Sequence, residues 1–338
     1  MTVARRIVVL CGACLVVLAV AGIGQVLIGR SGITPGQALD VVTGQAQSPV
    51  DALIVNLRVP RFLTGMLSGI ALGSAGAALQ SSLRNPLAEP GMLGISAGAA
   101  LGVVIATGAG AATGRPVVLL AAAAGGLSAV GLITLAVRGR WQDSELIALA
   151  GVLVGSILTA LVLGLLALAG RPLWEVLRWL IGSVNARTIA DVPPVAALTA
   201  AGLLLVLGQV RPLAVLRLGA PSAAALGVGH RRVRAVAMVG AIVLAVGGVL
   251  GVGAVMFLGL VGPQIARHVT GSSHPGVLVP TGGLVAAALL PIADLIAQLT
   301  TLSLPGAGAT GLPVGAVIAP LSIPVLLWLL TTRKLTVR

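Results

Sequence analysis

The sequence predicts an all-α integral membrane protein of ten transmembrane helices, and three observations carry that prediction. The chain is 57% hydrophobic and only 9% charged, with a mean hydropathy of +1.11, whereas a soluble domain has about a quarter of its residues charged. Charge-free stretches recur along it, each matching the roughly 20 apolar residues a helix needs to cross the hydrocarbon core. No hydrophilic region or low-complexity linker interrupts residues 1–338, which read as a single transmembrane domain.

Charge-free runs cover 7–29, 62–83, 90–114, 116–137, 146–170 and 192–210, one crossing each. From Ala235 to Thr332 only Arg267, His268, His274 and Asp294 intervene, which leaves room for crossings near 235–256, 258–271, 276–298 and 313–331; the second of these is short. The first run follows Arg5 and Arg6 but is too long for the apolar core of a signal peptide, and no small-residue cleavage pattern follows it. Cys11 and Cys14 lie within that run with no redox or zinc context, so they read as packing residues. In "TPGQALDVV" Thr34 can cap a short helix, Pro35 suits its first turn and Gln37 completes a capping box. The stretch "PLWEVLRWLIGS" places Trp174 and Trp179 where an interfacial helix anchors at the headgroups. In "RLGAPSAAALGVGHRRVR", Pro221 and Ser222 can open a short helix that Gly227 ends. Gly65, Gly69, Gly73 and Gly76 give the small-residue spacing that lets helices approach closely.

A net charge of +13 would suggest nucleic acid in a soluble protein. Here it reads as the excess of basic residues in cytoplasmic loops. With the N-terminus inside, fourteen of the 21 basic residues fall on the cytoplasmic side, so both termini are expected there, with lipid rather than nucleic acid around the chain. Arg30, Arg58, Arg61, Arg115, Arg171, Arg178 and Arg187 fall outside. A weak internal echo pairs Arg58-x-x-Arg61 with Arg231-x-x-Arg234 on opposite sides of the membrane, as inverted repeats do in transporters.

Several chemistries are missing. The only lysine is Lys334, without the glycine loop a P-loop requires, and no H-E-x-x-H is present. His230, His268 and His274 are scattered, so no metal, cofactor or catalytic residue is expected. Asp294 is the one acid deep in an apolar stretch. A carboxylate there is a functional candidate by default, but its place near the outer end of its span favours local capping or pairing.

One polar knot interrupts the apolar pattern: "SSLRNPLAEPGMLGISAGAA", residues 81–100. Pro86 and Pro90 break helix continuity, and Asn85 and Glu89 supply polar groups where backbone bonds are lost. "LRVPR", a Gly-rich span and then "LRNPLAEPGMLGISAGA" resemble the permeases of bacterial ABC importers for iron–siderophore complexes and cobalamin, the FecCD family. "IALAGVLVGSILTAL", "ALGVGHRRVRAV", "FLGLVGPQIARHV", "LLPIADLIAQ" and "LPVGAVIAPLSIPVLLWLL" continue the resemblance in order along nearly the whole chain.

The resemblance implies a ferric siderophore permease with the bundle of the cobalamin importers. It implies a dimer with a second copy or a paralogue, two separate cytoplasmic ATPases and an extracytoplasmic binding protein, in the bacterial plasma membrane. Cobalamin or haem uptake is the alternative within the family, and an ion-coupled secondary transporter the alternative outside it. By the resemblance, Asn85, Pro86, Leu87 and Glu89, with Asp143 and Ser144 of "WQDSEL", lie at the inner gate. Residues 217–234 form the element that docks on the ATPase, with Ala223, Ala224, Leu226, Gly227 and Arg231 named for it. Arg58 and Arg61 receive the binding protein. Family members often read Pro-His at Pro263-Gln264, Arg at Gln298 and Glu before "LPVG", where this chain has Gly311. These departures read as changes to one outer docking surface.

Overall fold

Apolar runs become helices because in lipid every backbone N–H and C=O must be satisfied within its own segment. The computed structural model describes residues 2–28, 34, 36–37, 43, 53–108, 115–138, 140, 143–169, 180–185, 187–216, 225–303 and 311–332. Among them are eleven α-helices: α1 Val3–Leu27, α2 Val59–Leu83, α3 Ile95–Gly108, α4 Arg115–Val137, α5 Ser144–Leu168, α6 Val192–Leu207, α7 Val210–Leu216, α8 His230–Val252, α9 Leu258–Thr270, α10 Pro275–Ser303 and α11 Gly315–Thr332.

By length and composition α1, α2 with the π turn before it, α4, α5, α6 with the 3-10 turn before it, α8 and α10 can each cross a membrane, and α3 and Gly315–Val325 of α11 are shorter apolar helices. The 13 residues of α9 reach only about 20 Å, short of a hydrocarbon core of ~30 Å. Among the described residues, seven helices are long and apolar enough for a full crossing. Proline and glycine set two element ends: Pro90–Leu93 is a 3-10 turn outside α3, and α8 is cut from α9 at Gly253, whose φ is 77, where two separate crossings were expected.

The apolar windows of α2, α8 and α10 are 72%, 78% and 67% buried, against 22% to 28% for α1, α4, α5 and α6. The first three make the centre; the others turn their flanks outward. Small residues allow this centre to close. A Cβ at Gly73 would lie 2.5 Å from the Gly282 carbonyl of α10, and one at Gly76 would lie 1.7 Å from the Gly259 carbonyl of α9. Thr64 and Ser68 of α2 lie beside Gly251 near the end of α8, and Leu72 lies beside Gly248. With Arg84 near Arg234 at the start of α8, the two central helices run antiparallel. The two Arg pairs of the sequence echo therefore sit at opposite ends of the bundle. Where α8 stops, the Ser183 N–H donates to the Val252 carbonyl at 2.7 Å, so a carbonyl orphaned by the helix end is satisfied.

Two local expectations are met. Thr34 and Gln37 form the capping box, with bonds of 2.9 and 3.4 Å. Gly227 has a φ of 70 and follows the short turn at Ala225 and Leu226. Trp174, Trp179, Arg171, Arg178, Arg217, Pro221, Ser222, Ala223 and Ala224 lie outside the described residues.

Candidate functional site

The polar knot lies between α2 and α3, and its own side chains shape it. Arg84 ends α2 with a φ of 52, in the left-handed region that turns the chain away from the helix. Asn85 Oδ1 accepts the Leu87 N–H at 2.9 Å and the Asn85 carbonyl accepts the Ala88 N–H at 3.1 Å. This Asx turn puts Leu87, 42% exposed, at the tip. Glu89 then turns inward, 3% exposed, and accepts a hydrogen bond from the Phe257 backbone N–H at the start of α9. Burial pushes its carboxyl up to about 7, against the opposing effect of that bond. Gly94, with a φ of 64, leads into α3.

Pro263 organises what the knot rests on. It has no N–H, so the Gly259 carbonyl one turn earlier loses its helix partner. Gln80 of α2 donates to that carbonyl through Nε2, at 3.5 Å. Gln80 Oε1 accepts from Gln264 Nε2 at 3.3 Å and from Arg267 at 3.4 Å. Gln264 also donates to the Pro86 carbonyl, and its Oε1 accepts from Arg267 at 3.3 Å. Gln264, read from sequence as part of an outer docking surface, is in fact buried under the knot. The reason is that α9 packs Gly259 against α2, which sets Gln264 beside Gln80. Pro263 inside an apolar run was the available signal for this network; Gln80 carried none.

The other expected gate residues lie on α5. Asp143 is its N-cap and accepts the Leu146 N–H at 3.1 Å, a local role; Ser144 is the first helical residue. Further along α5, a Cβ at Gly151 would lie 2.0 Å from the Met92 carbonyl, so that helix braces the 3-10 turn after the knot. Arg84 donates to the Leu216 carbonyl at the end of α7, tying the knot to the helix that leads into residues 217–234. Of the coupling residues named from sequence, Leu226 is 63% exposed, and Arg231 is exposed in the first turn of α8.

A second cluster gathers around Asp294. Arg61 Nε and one terminal nitrogen bind Oδ2 and Oδ1 at 2.7 Å each, and Gln25 and Gln298 donate to Oδ2 at 3.1 Å each. Gln25 also donates to the Pro291 carbonyl at 2.9 Å. Asp294 thus pairs, as expected, but with α1 and α2 rather than only within its own helix. Arg61, expected to face a binding protein, has the Nε–Nη2 edge of its guanidinium engaged here, and Arg58 donates to the Val26 carbonyl. Gln298 belongs to this cluster and Gln264 to the knot, while Gly311 lies beside Asn185 with a φ of 59. The three departures therefore do not form one surface. Among the described residues no group of three His, Cys, Asp or Glu gathers to hold a metal.

A broken apolar bundle with buried polar clusters at its helix breaks has the construction of a membrane transport protein. Residues 14–332 match the sequence model of the FecCD transport family. The chain is 33% identical over 328 residues to the ferric enterobactin transport system permease protein FepD of Escherichia coli K12, covering 94% of each chain. It is 32% identical to the Fe(3+) dicitrate transport system permease protein FecC of the same strain, covering 87% of each. To the cobalamin import system permease protein BtuC of Halobacterium salinarum it is 32% identical, covering 83% of this chain and 74% of that one. In fold it is similar to a solved inward-facing metal-chelate type ABC transporter, with a TM-score of 0.79, 22% identity, and coverage of 95% of this chain and 98% of the other.

The chain belongs to the FecCD transport family. It is a multi-pass membrane permease of the ABC-importer type, a transport subunit rather than an enzyme.

Proposed function

We propose that this single permease domain carries ferric siderophore complexes into the cytoplasm, driven by a separate ATPase. The observation that carries the reading is the end-to-end match to the ferric enterobactin permease, 94% of both chains. In this reading the chain works as a dimer with a second copy or a paralogue, in a bacterial plasma membrane with both termini inside. Two ATPases dock on residues 217–234, where exposed Leu226 offers an apolar contact. Asn85, Pro86, Leu87 and Glu89 form the inner gate, and a binding protein delivers cargo at the end of the bundle where Arg58 lies. Asp143 and Ser144 border that gate from α5.

Growth under iron limitation tests the cargo. A strain lacking the chain, supplied with single ferric siderophores, fails to grow on at least one that supports the parent, and cobalamin uptake is unchanged. Loss of cobalamin uptake with intact siderophore use would move the assignment to the vitamin.

A further inference from the structure

The knot and α9 are each bounded by residues in the left-handed region: Arg84 and Gly94 with φ of 52 and 64, Phe257 and Gly271 each with φ of 67. A rigid piece swings at a few loop or element-terminal positions of this kind. Between these bounds, two buried ties join knot to helix. At the start of α9, the Phe257 N–H donates to Glu89. Two helical turns on, about 10 Å along the axis, Gln264 donates to the Pro86 carbonyl. One tie would leave the knot free to rotate about it. Two at that separation fix its orientation as well.

Gln264 is the more demanding tie. It is 2% exposed, its amide hydrogens go to Pro86 and Gln80, and its oxygen accepts from Arg267. A buried carboxamide costs free energy when a partner is removed, so lifting the knot away from α9 breaks a network whose members polarise and support one another.

We propose that Gln264 is a positioning residue for the gate: it locks residues 84–94 to α9, and the two move as one body about Arg84, Gly94, Phe257 and Gly271 when the inner path opens. This rests on the reading of 84–94 as the gate.

Spin-label distances in the assembled transporter test it, with Cys11→Ser and Cys14→Ser as background. Labels at Leu87→Cys and His268→Cys report knot to α9; labels at Leu87→Cys and Leu204→Cys report knot to α6. With Gln264 intact, the first distance stays the same between the nucleotide-free and ADP-vanadate states while the second changes. Gln264→Leu broadens the first, and maleimide labelling of Leu87→Cys in the closed state speeds up roughly fivefold to tenfold. Gln264→His, which keeps one N–H donor and one acceptor, restores both. A first distance that changes with nucleotide in the parent overturns the proposal without needing any Gln264 variant, and so does a Gln264→Leu protein with unaltered distance and labelling. A second distance that never changes while ATP is hydrolysed refutes the gate reading itself and takes the proposal with it.

Discussion

Arg61 and Asp294, 233 residues apart in sequence, meet edge to edge through two bonds of 2.7 Å. The carboxylate is 2% exposed and the guanidinium 20%, so the pair closes the end of α2 against α10 while Gln25 brings in α1. A planar guanidinium suits this role because it binds both carboxylate oxygens at once. Breaking a buried pair by removing one partner costs about 3–5 kcal/mol, because the remaining charge is left without compensation. Arg61→Met is therefore expected to lower the thermal stability of the purified complex sharply. Arg61→Met combined with Asp294→Leu recovers most of the loss; a double variant no more stable than Arg61→Met would show that the pair is not what the mutation disturbed.

Arg58 should behave differently from Arg61. Under the proposed function, Arg58→Glu slows binding-protein association and weakens its dependence on salt, since rim charges act mainly on the encounter rate. The membrane complex still assembles. Stopped-flow association at low and high salt measures this, and an unchanged rate at low salt would take Arg58 out of the docking surface.

Glu89 gives a pH dependence. Its folded-state value of about 7 stands above the ordinary 4.5, so between those values the folded chain holds a proton that the unfolded chain releases. Its contribution to stability is complete below about pH 4.5 and is lost as the pH rises through about 7. Glu89→Gln, a mimic of the protonated acid, should flatten the fall in thermal stability across that window. An identical pH profile in parent and variant would contradict the assignment.

The helices and the knot were legible in the sequence; their partners were not. Charge-free runs marked the elements because lipid demands continuous apolar helix, and the glycines of α2 announced close packing that Gly73 and Gly76 indeed make with α10 and α9. Pro86, Pro90, Asn85 and Glu89 marked the knot because prolines and polar groups are costly inside a span. A run with no charge has no periodic polar face, however, so nothing shows which side of one helix meets which side of another. That is why Gln264 read as part of an outer surface, the pairing of Arg61 with Asp294 was not legible, and the lone Gln25 of α1 went unread. The short span at 258–271 was legible too, as the 13-residue α9, while the start of α3 was not, because Pro90–Leu93 forms a 3-10 turn before it.

Leu226 tests the coupling element. It is large, apolar and 63% exposed, beside the glycine that ends its turn. Leu226→Asp places a carboxylate where the ATPase contact is proposed, and burying it there is unfavourable. The expected result is an assembled complex whose ATP hydrolysis no longer drives uptake. Normal uptake per ATP would place the contact elsewhere.

The most direct test of the account is uptake by reconstituted proteoliposomes containing this chain with or without its ATPase, given binding protein loaded with an iron–siderophore complex. Accumulation against a gradient should require the ATPase and internal ATP, and an imposed proton or sodium gradient should have no effect. Accumulation by the chain alone, driven by such an ion gradient, would contradict the account and mark the protein as a secondary transporter.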